Sequence, residues 1–191
     1  MTAYKGFAPD FTAVYGHGRK QYHVGDVLEE EGSKTAREGM HCAEYVLDCL
    51  RWYPLGGQNR YCQVEVGGSI DEDGSVQIAC TRMRIVRELN IKQIASAACM
   101  YMVRYPERDW KRRGVMLDVA EDAAEGQGKG AIAIARGREP KVKGRAGSVM
   151  ALVRETGPGE FEAAKVFEAG REVLPDIWYT INKAGKVVKA E

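Results

Sequence analysis

The sequence predicts an α+β fold: an N-terminal sheet carrying two helices, then a glycine-rich C-terminal region of β-roll or β-meander type. Three observations predict it. Val46, Leu47, Leu50 and Tyr53 share one face of a 3.6-residue period that Pro54 ends. Cys62, Val64 and Val66 alternate with Gln63 and Glu65, the two-residue period of a half-buried strand. Gly130, Gly137 and Gly144 recur every seven residues among small and β-branched side chains, a pattern that suits short stacked strands.

Taken in order, residues 1–34 alternate aromatics with glycine and charge (Tyr4, Phe7, Phe11, Tyr15, Tyr22), and Tyr4-Lys5-Gly6-Phe7 reads as a short strand. Gly16 to Lys20 reads as a mobile turn with a basic tip. It lacks the strand, the glycine spacing and the Lys-Ser/Thr ending of a phosphate loop. Asp26 and Glu29 to Glu31 read as a solvated acidic edge. The stretch Gly39–Pro54 is an extended entry into a first helix, with Glu44, Asp48 and Arg51 expected on its wet face. A strand follows at 61–66, and a hairpin end is expected at Asp71–Gly74. Asn90 is a candidate N-cap for a second helix, 91–105, striped by Ile91, Ile94, Ala95, Ala98 and Met102 and closed by Pro106. The tail (Phe161–Phe167, Leu174–Ile181, Lys186–Val188) reads as a β-meander. The expected domains are 1–105, a basic and glycine-rich connector at 106–130, and a β-rich region at 131–191.

Composition narrows the function classes. The chain has 191 residues, 45% apolar and 29% charged, with a net charge of +1, so no overall field points to nucleic acid or anionic membrane. No apolar run approaches the roughly 20 residues of a membrane helix, and no secretory leader is evident at the N-terminus, so a cytoplasmic location is expected. The five cysteines are odd in number and sit among apolar neighbours, as reduced thiols used as small hydrophobes do. His17, His23 and His41 lack zinc-site spacing, so neither a metal nor a cofactor is expected.

Local features carry the chemistry. His41 and Cys42 stand just before the first helix, where unsatisfied N–H groups can hold a ligand. Residues 104–113 hold five positive and two negative charges around Tyr105 and Trp110. Residues 136–145 hold Arg136, Arg138, Lys141, Lys143 and Arg145 against Glu139 alone. Arg108, Trp110, Arg112 and Arg113 in the first cluster, with Arg136, Arg138 and Arg145 in the second, are the candidate partner-binding residues, since arginines and aromatics dominate interface hot spots.

Tyr4-Lys5-Gly6-Phe7, Tyr22-His23-Val24-Gly25, Gly39-Met40-His41-Cys42 with Trp52-Tyr53-Pro54, Arg60–Val66 and, in the tail, Pro175–Tyr179 and Gly185–Val188 resemble an uncharacterised phage and prophage protein family. The glycine-alanine stretch between is similar to the β-roll head repeats of trimeric autotransporter adhesins. The first resemblance implies a phage accessory protein. The expected function is to bind and inhibit a host factor, such as a CRISPR-type defence complex, in an infected or lysogenic bacterium, without catalysis and through a protein or ribonucleoprotein partner. Two alternatives stand beside it. The layout is loosely similar to that of an ADP-ribosyltransferase using NAD, with Lys5, His41, Tyr45 and Glu65 or Glu88 as anion-binding, stacking and carboxylate groups. A nucleic-acid module would instead stack bases on Tyr105 and Trp110.

Overall fold

A computed structural model describes the chain except for residues 16, 17, 36, 73–75 and 191. Gly16 and His17 of the Gly16–Lys20 turn and the tip of the Asp71–Gly74 hairpin therefore lie outside the described residues. The chain divides into two compact units, Met1–Asn90 and Ile91–Glu191. Among the described residues the architecture is mostly β: fourteen strands in three sheets, with one α-helix and one 3-10 helix.

This overturns the expected α+β class, because among the described residues the N-terminal unit carries no α-helix. The segment expected to form the first helix is a 3-10 turn, Val46–Arg51, whose Tyr45 N-cap makes no side-chain cap. Only six residues separate that cap from Trp52, and 3-10-type bonds such as Asp48 N–H to Tyr45 O (3.0 Å) close the turn. Nor is the segment amphipathic: Val46, Leu47, Asp48, Cys49 and Leu50 are all buried, Asp48 among them despite its expected place on the wet face. The second expected helix forms, but it opens the second unit.

The first unit is built from β1 (Thr2–Phe7), β2 (Thr12–Tyr15), β3 (Gly18–Gln21), β4 (Val27–Glu29), β5 (Met40–Cys42), β6 (Arg60–Glu72) and β7 (Ile78–Glu88). β2 and β3 form a separate hairpin. The main sheet runs β1-β6-β7, all antiparallel, and β4 and β5 both pair with the far edge of β7. Ala43, one residue past β5, then exchanges two 2.8 Å backbone hydrogen bonds with Tyr4 of β1. The sheet closes on itself through that bridge. Ala3 and Phe7 from β1, Cys62, Val64 and Val66 from β6, Met83 and Ile85 from β7, and Met40 and Cys42 from β5 fill the interior with Phe11 and Tyr22. Phe7 and Phe11 stack at 4.7 Å.

The second unit opens with α1 (Ile91–Arg104), which buries Ile94, Ala95, Ala98, Cys99 and Met102 along one stripe. β8 (Arg112–Gly114), β9 (Leu117–Gly126), β10 (Ile132–Gly144), β11 (Val149–Gly157), β12 (Glu160–Glu168), β13 (Tyr179–Ile181) and β14 (Val187–Lys189) share one sheet. β9, β10 and β11 are parallel, with Leu117 beside Ile132 and Ile132 beside Val149, so successive rungs start about 15 to 17 residues apart. The β9–β10 pair bends part way along: its register slips between Arg136 and Lys141, opposite Asp122, whose φ is 61°. The rungs come closest over Ser148. A Cβ on Gly126 would stand 2.6 Å from that of Ser148, and one on Gly144 would stand 2.8 Å from it. The buried Ser148 hydroxyl accepts from Gly128 N–H and donates to Gly128 O, so no polar group is orphaned beneath them.

Candidate functional site

Two places concentrate chemistry, one in each unit. In the first unit the residue that stands out is Lys5. The alternation of β1 puts it on the same face as Ala3 and Phe7, pointing into the closed sheet, where it is 8% exposed. Its Nζ donates to His41 O at 2.8 Å and lies 5.7 and 5.6 Å from the ring centroids of Phe7 and Tyr22. Among the described residues no carboxylate stands within ion-pair distance of it. Burial therefore holds the amine below its ordinary range, partly countered by the nearby thiols of Cys42, Cys49 and Cys80.

Lys5 and His41 together line two clefts. The wider, of about 790 Å³, is walled by Glu29, Glu30, Glu31 and Glu38 with Arg37. The narrower, of about 300 Å³, is walled by Tyr4, Val14, Trp52 and Tyr53, with Gln77 as a further polar group. Gly6 makes the aromatic wall possible: a Cβ there would come within 2.5 Å of Tyr53 Cδ2, so only glycine lets that ring lie against β1. Lys5, Gly6 and Phe7 thus have separate tasks: a charge inside, a bare backbone outside under Tyr53, and an aromatic in the core. Gly39, at φ 81° and with Gly32 O and Cys80 O within 2.9 Å of any added Cβ, fixes the turn that delivers His41 to the clefts. Burial and the Lys5 charge lower the His41 pKa. Burial pushes the Cys49 thiol up to about 12, and Cys42 is raised well above its usual value by its contact with Cys80 and by burial. All five cysteines are free and buried.

Of the residues named for NAD chemistry only Lys5 and His41 are gathered. Tyr45 is buried at 2% exposure. Glu65 is on the outer face of β6, 3.8 Å from Arg84, and lines a separate cleft with Arg82 and Val27. Glu88 is held by Arg60.

In the second unit Arg136 ties the two basic clusters together. It is 4% exposed; its Nε donates to Glu155 Oε1 at 2.9 Å, and its Nη1 reaches Met102 O and Pro106 O at 3.3 Å each. Those carbonyls belong to the last turn of α1 and the residues just beyond it, where unsatisfied C=O groups and the negative end of the helix dipole favour a cation. The guanidinium also lies 5.0 Å from the ring of Trp110, which is itself buried.

Arg136 and Trp110 are therefore inside the fold and act as anchors for the turn after α1. On its surface Arg108 stacks on Tyr105 at 4.1 Å. Arg138, two residues along β10 from the anchor, is exposed. Arg112 folds back on Asp109 (3.1 Å) and Lys111 O (2.7 Å); exposed Arg113 faces Asp118 at 3.8 Å, and Lys111 faces Glu121 at 2.6 Å. Arg145 is exposed at the other end of β10. The structure thus brings Arg136 against Trp110 and the turn that carries Arg108, with Arg112 and Arg113 following on the same segment, while Arg145 lies at the far end of β10. Neither Trp110 nor Tyr105 presents a bare ring face, since arginines cover both.

Among the described residues no cluster of His, Cys, Asp or Glu could hold a metal ion, and no helix is long and apolar enough to cross a membrane. A family model described as Domain of unknown function (DUF7666) matches residues 1–97, which is the first unit and the opening turns of α1. No curated protein and no solved structure matches the chain.

Proposed function

The chain belongs to the DUF7666 family of domains of unknown function, and from that premise we propose that it is a phage accessory protein that inhibits a host factor by occupying it. The partner is a protein or ribonucleoprotein complex of the bacterial cytoplasm, of the CRISPR-type defence class, and no catalytic step is involved.

The observation that supports this reading is the arginine corner of the second unit. A side chain contributes most to an interface when its conformation is fixed before binding, because less rotamer entropy is then lost. Arg108 is held over Tyr105, and the turn that carries it is pinned by Arg136 and Trp110. Arg138 adds a second exposed cation, two residues along β10 from Arg136. Asp109, Asp118 and Glu121 offset the neighbouring charges, which leaves a local fork rather than a broad positive field. Such a corner suits one acidic recess on a partner surface better than the length of a nucleic-acid backbone.

The test is to reverse charge at Arg108 and Arg138 together and compare capture of bacterial partners with that by wild type. The double reversal should weaken binding tenfold or more, about 1.4 kcal/mol per factor of ten, with a larger effect at low salt than at high. His41→Ala and Glu65→Gln should leave inhibition unchanged. Wild-type binding and in-cell activity from a folded Arg108→Glu/Arg138→Glu variant would overturn the reading.

A further inference from the structure

Lys5 is not used by the arginine corner, and packing alone does not account for it. An interior lysine normally stands against a carboxylate or is replaced by an apolar residue of like volume, because burying an unpaired ammonium is costly. Here the amine has one backbone carbonyl, two aromatic faces and no described carboxylate within ion-pair reach. It also lines open clefts. We propose that Lys5 is a covalent capture point for small, uncharged, planar aldehydes, which enter the aromatic cleft and form an imine at Nζ.

The step is balanced without any further reactant. The amine lone pair attacks the carbonyl carbon, the C=O π bond opens to a hydroxyl, and loss of one water leaves the C=N bond. Depletion of charge is what makes the amine a nucleophile, and a lysine desolvated in an apolar pocket is the usual way to achieve it.

The groups facing Lys5 are His41 and Cys42 on β5 with its following turn, Cys49 on the 3-10 helix and Cys80 on β7. His41 is held low by burial and by Lys5 itself, so it is neutral at pH 7 and adds no like charge beside the amine. Cys49 at about 12 and Cys42 well above its usual value stay protonated, while the Cys42 contact lowers the Cys80 thiol, which donates to Met40 O.

The walls choose the ligand. Half-exposed Trp52 at the lip and Tyr53 behind it offer flat faces to an aromatic aldehyde, in a space of about 300 Å³. The four glutamates of the wider cleft repel anionic aldehydes approaching from that side.

The experiment uses the whole wild-type chain. It is incubated with benzaldehyde and cyanoborohydride at pH 7, which fixes any imine as a stable amine, and every labelled site is mapped by tandem mass spectrometry. Fragment ions separate Lys5 from the neighbouring Met1 amino group.

Lys5 should be labelled about tenfold or more above the median of the other lysines, since burial leaves it with more free amine at pH 7 than an exposed lysine has. The preference should vanish in urea, and anionic glyoxylate should label Lys5 less than benzaldehyde does. Labelling of Lys5 at or below the median overturns the proposal, as does a preference that survives denaturation. Equal labelling by glyoxylate overturns the assignment to the aromatic cleft.

Discussion

Replacing Glu155 with Gln removes one oxygen's charge and leaves the Arg136 guanidinium inside the second unit without its counter-ion. The pair is well enclosed, with side-chain exposures of 5% and 13%, and Arg136 remains tied to Met102 O and Pro106 O, so it cannot swing out to water. Breaking a buried pair from one side costs about 3–5 kcal/mol, because the surviving charge is unsatisfied. The second unit is about 100 residues, and for a unit of that size each kcal/mol moves the melting midpoint by roughly 4–8 °C. The midpoint of that unit should therefore fall by about 12 °C or more, followed by circular dichroism.

Replacing both partners by apolar residues (Arg136→Met with Glu155→Leu) should cost less than the two single changes added together, since no orphan charge remains. Hydrogen exchange should also show the backbone around residues 105–110 loosening in the Glu155 variant, because Arg136 is what holds that turn. A midpoint lowered by less than about 4 °C in Glu155→Gln, with protection there unchanged, would refute the anchoring argument.

Two more outcomes follow from the first unit, beside the charge reversal and the aldehyde labelling above. Gly39→Ala forces a positive φ on alanine and sets its Cβ against two backbone oxygens, so it should destabilise the unit by about 1–3 kcal/mol; a neutral result in urea denaturation would show that the His41 turn is not fixed there. Lys5 binds fewer protons folded than unfolded between its lowered native pKa and its ordinary value of 10.5, so stability should rise with pH across that interval. Lys5→Met should lack this rise and should be the more stable protein at neutral pH, and parallel stability–pH curves for the two would show that the amine is not buried.

How much of this was legible in the sequence depended on whether a pattern was read over a whole face or from spacing alone. Cys62, Val64 and Val66 are interior as their alternation implies, and the Ile94 to Met102 stripe is buried as its period implies, because burial is what creates both patterns. The Val46–Tyr53 pattern misled because five consecutive buried residues satisfy any period. The glycine interval of seven also misled. Gly130 lies in a turn, Gly137 packs against Asp122 and Gly144 stacks over Ser148, while the rungs themselves run about 15 to 17 residues. Lys5 carried a readable signal in the Ala3-Lys5-Phe7 alternation, but charge argues for the surface and only the closed sheet reverses that argument. The division of labour in the basic clusters was not legible at all: nothing local separates Arg136, enclosed with Glu155, from Arg138 in the open.

The way the first sheet closes has a consequence for traffic to its interior. The ladders between β1 and β6 and between β6 and β7 are long, whereas among the described residues the backbone of β1 meets the end of β5 only through the reciprocal pair of Tyr4 and Ala43, with the Lys5 Nζ–His41 O bond beside it. Two backbone hydrogen bonds are worth about 1–3 kcal/mol net, a fraction of what global unfolding of a domain requires. The wall therefore has a seam, placed directly beside Lys5 and His41. Parting it would need only those bonds to break while the longer ladders stay zipped, and would widen the way to an amine that the two clefts already reach.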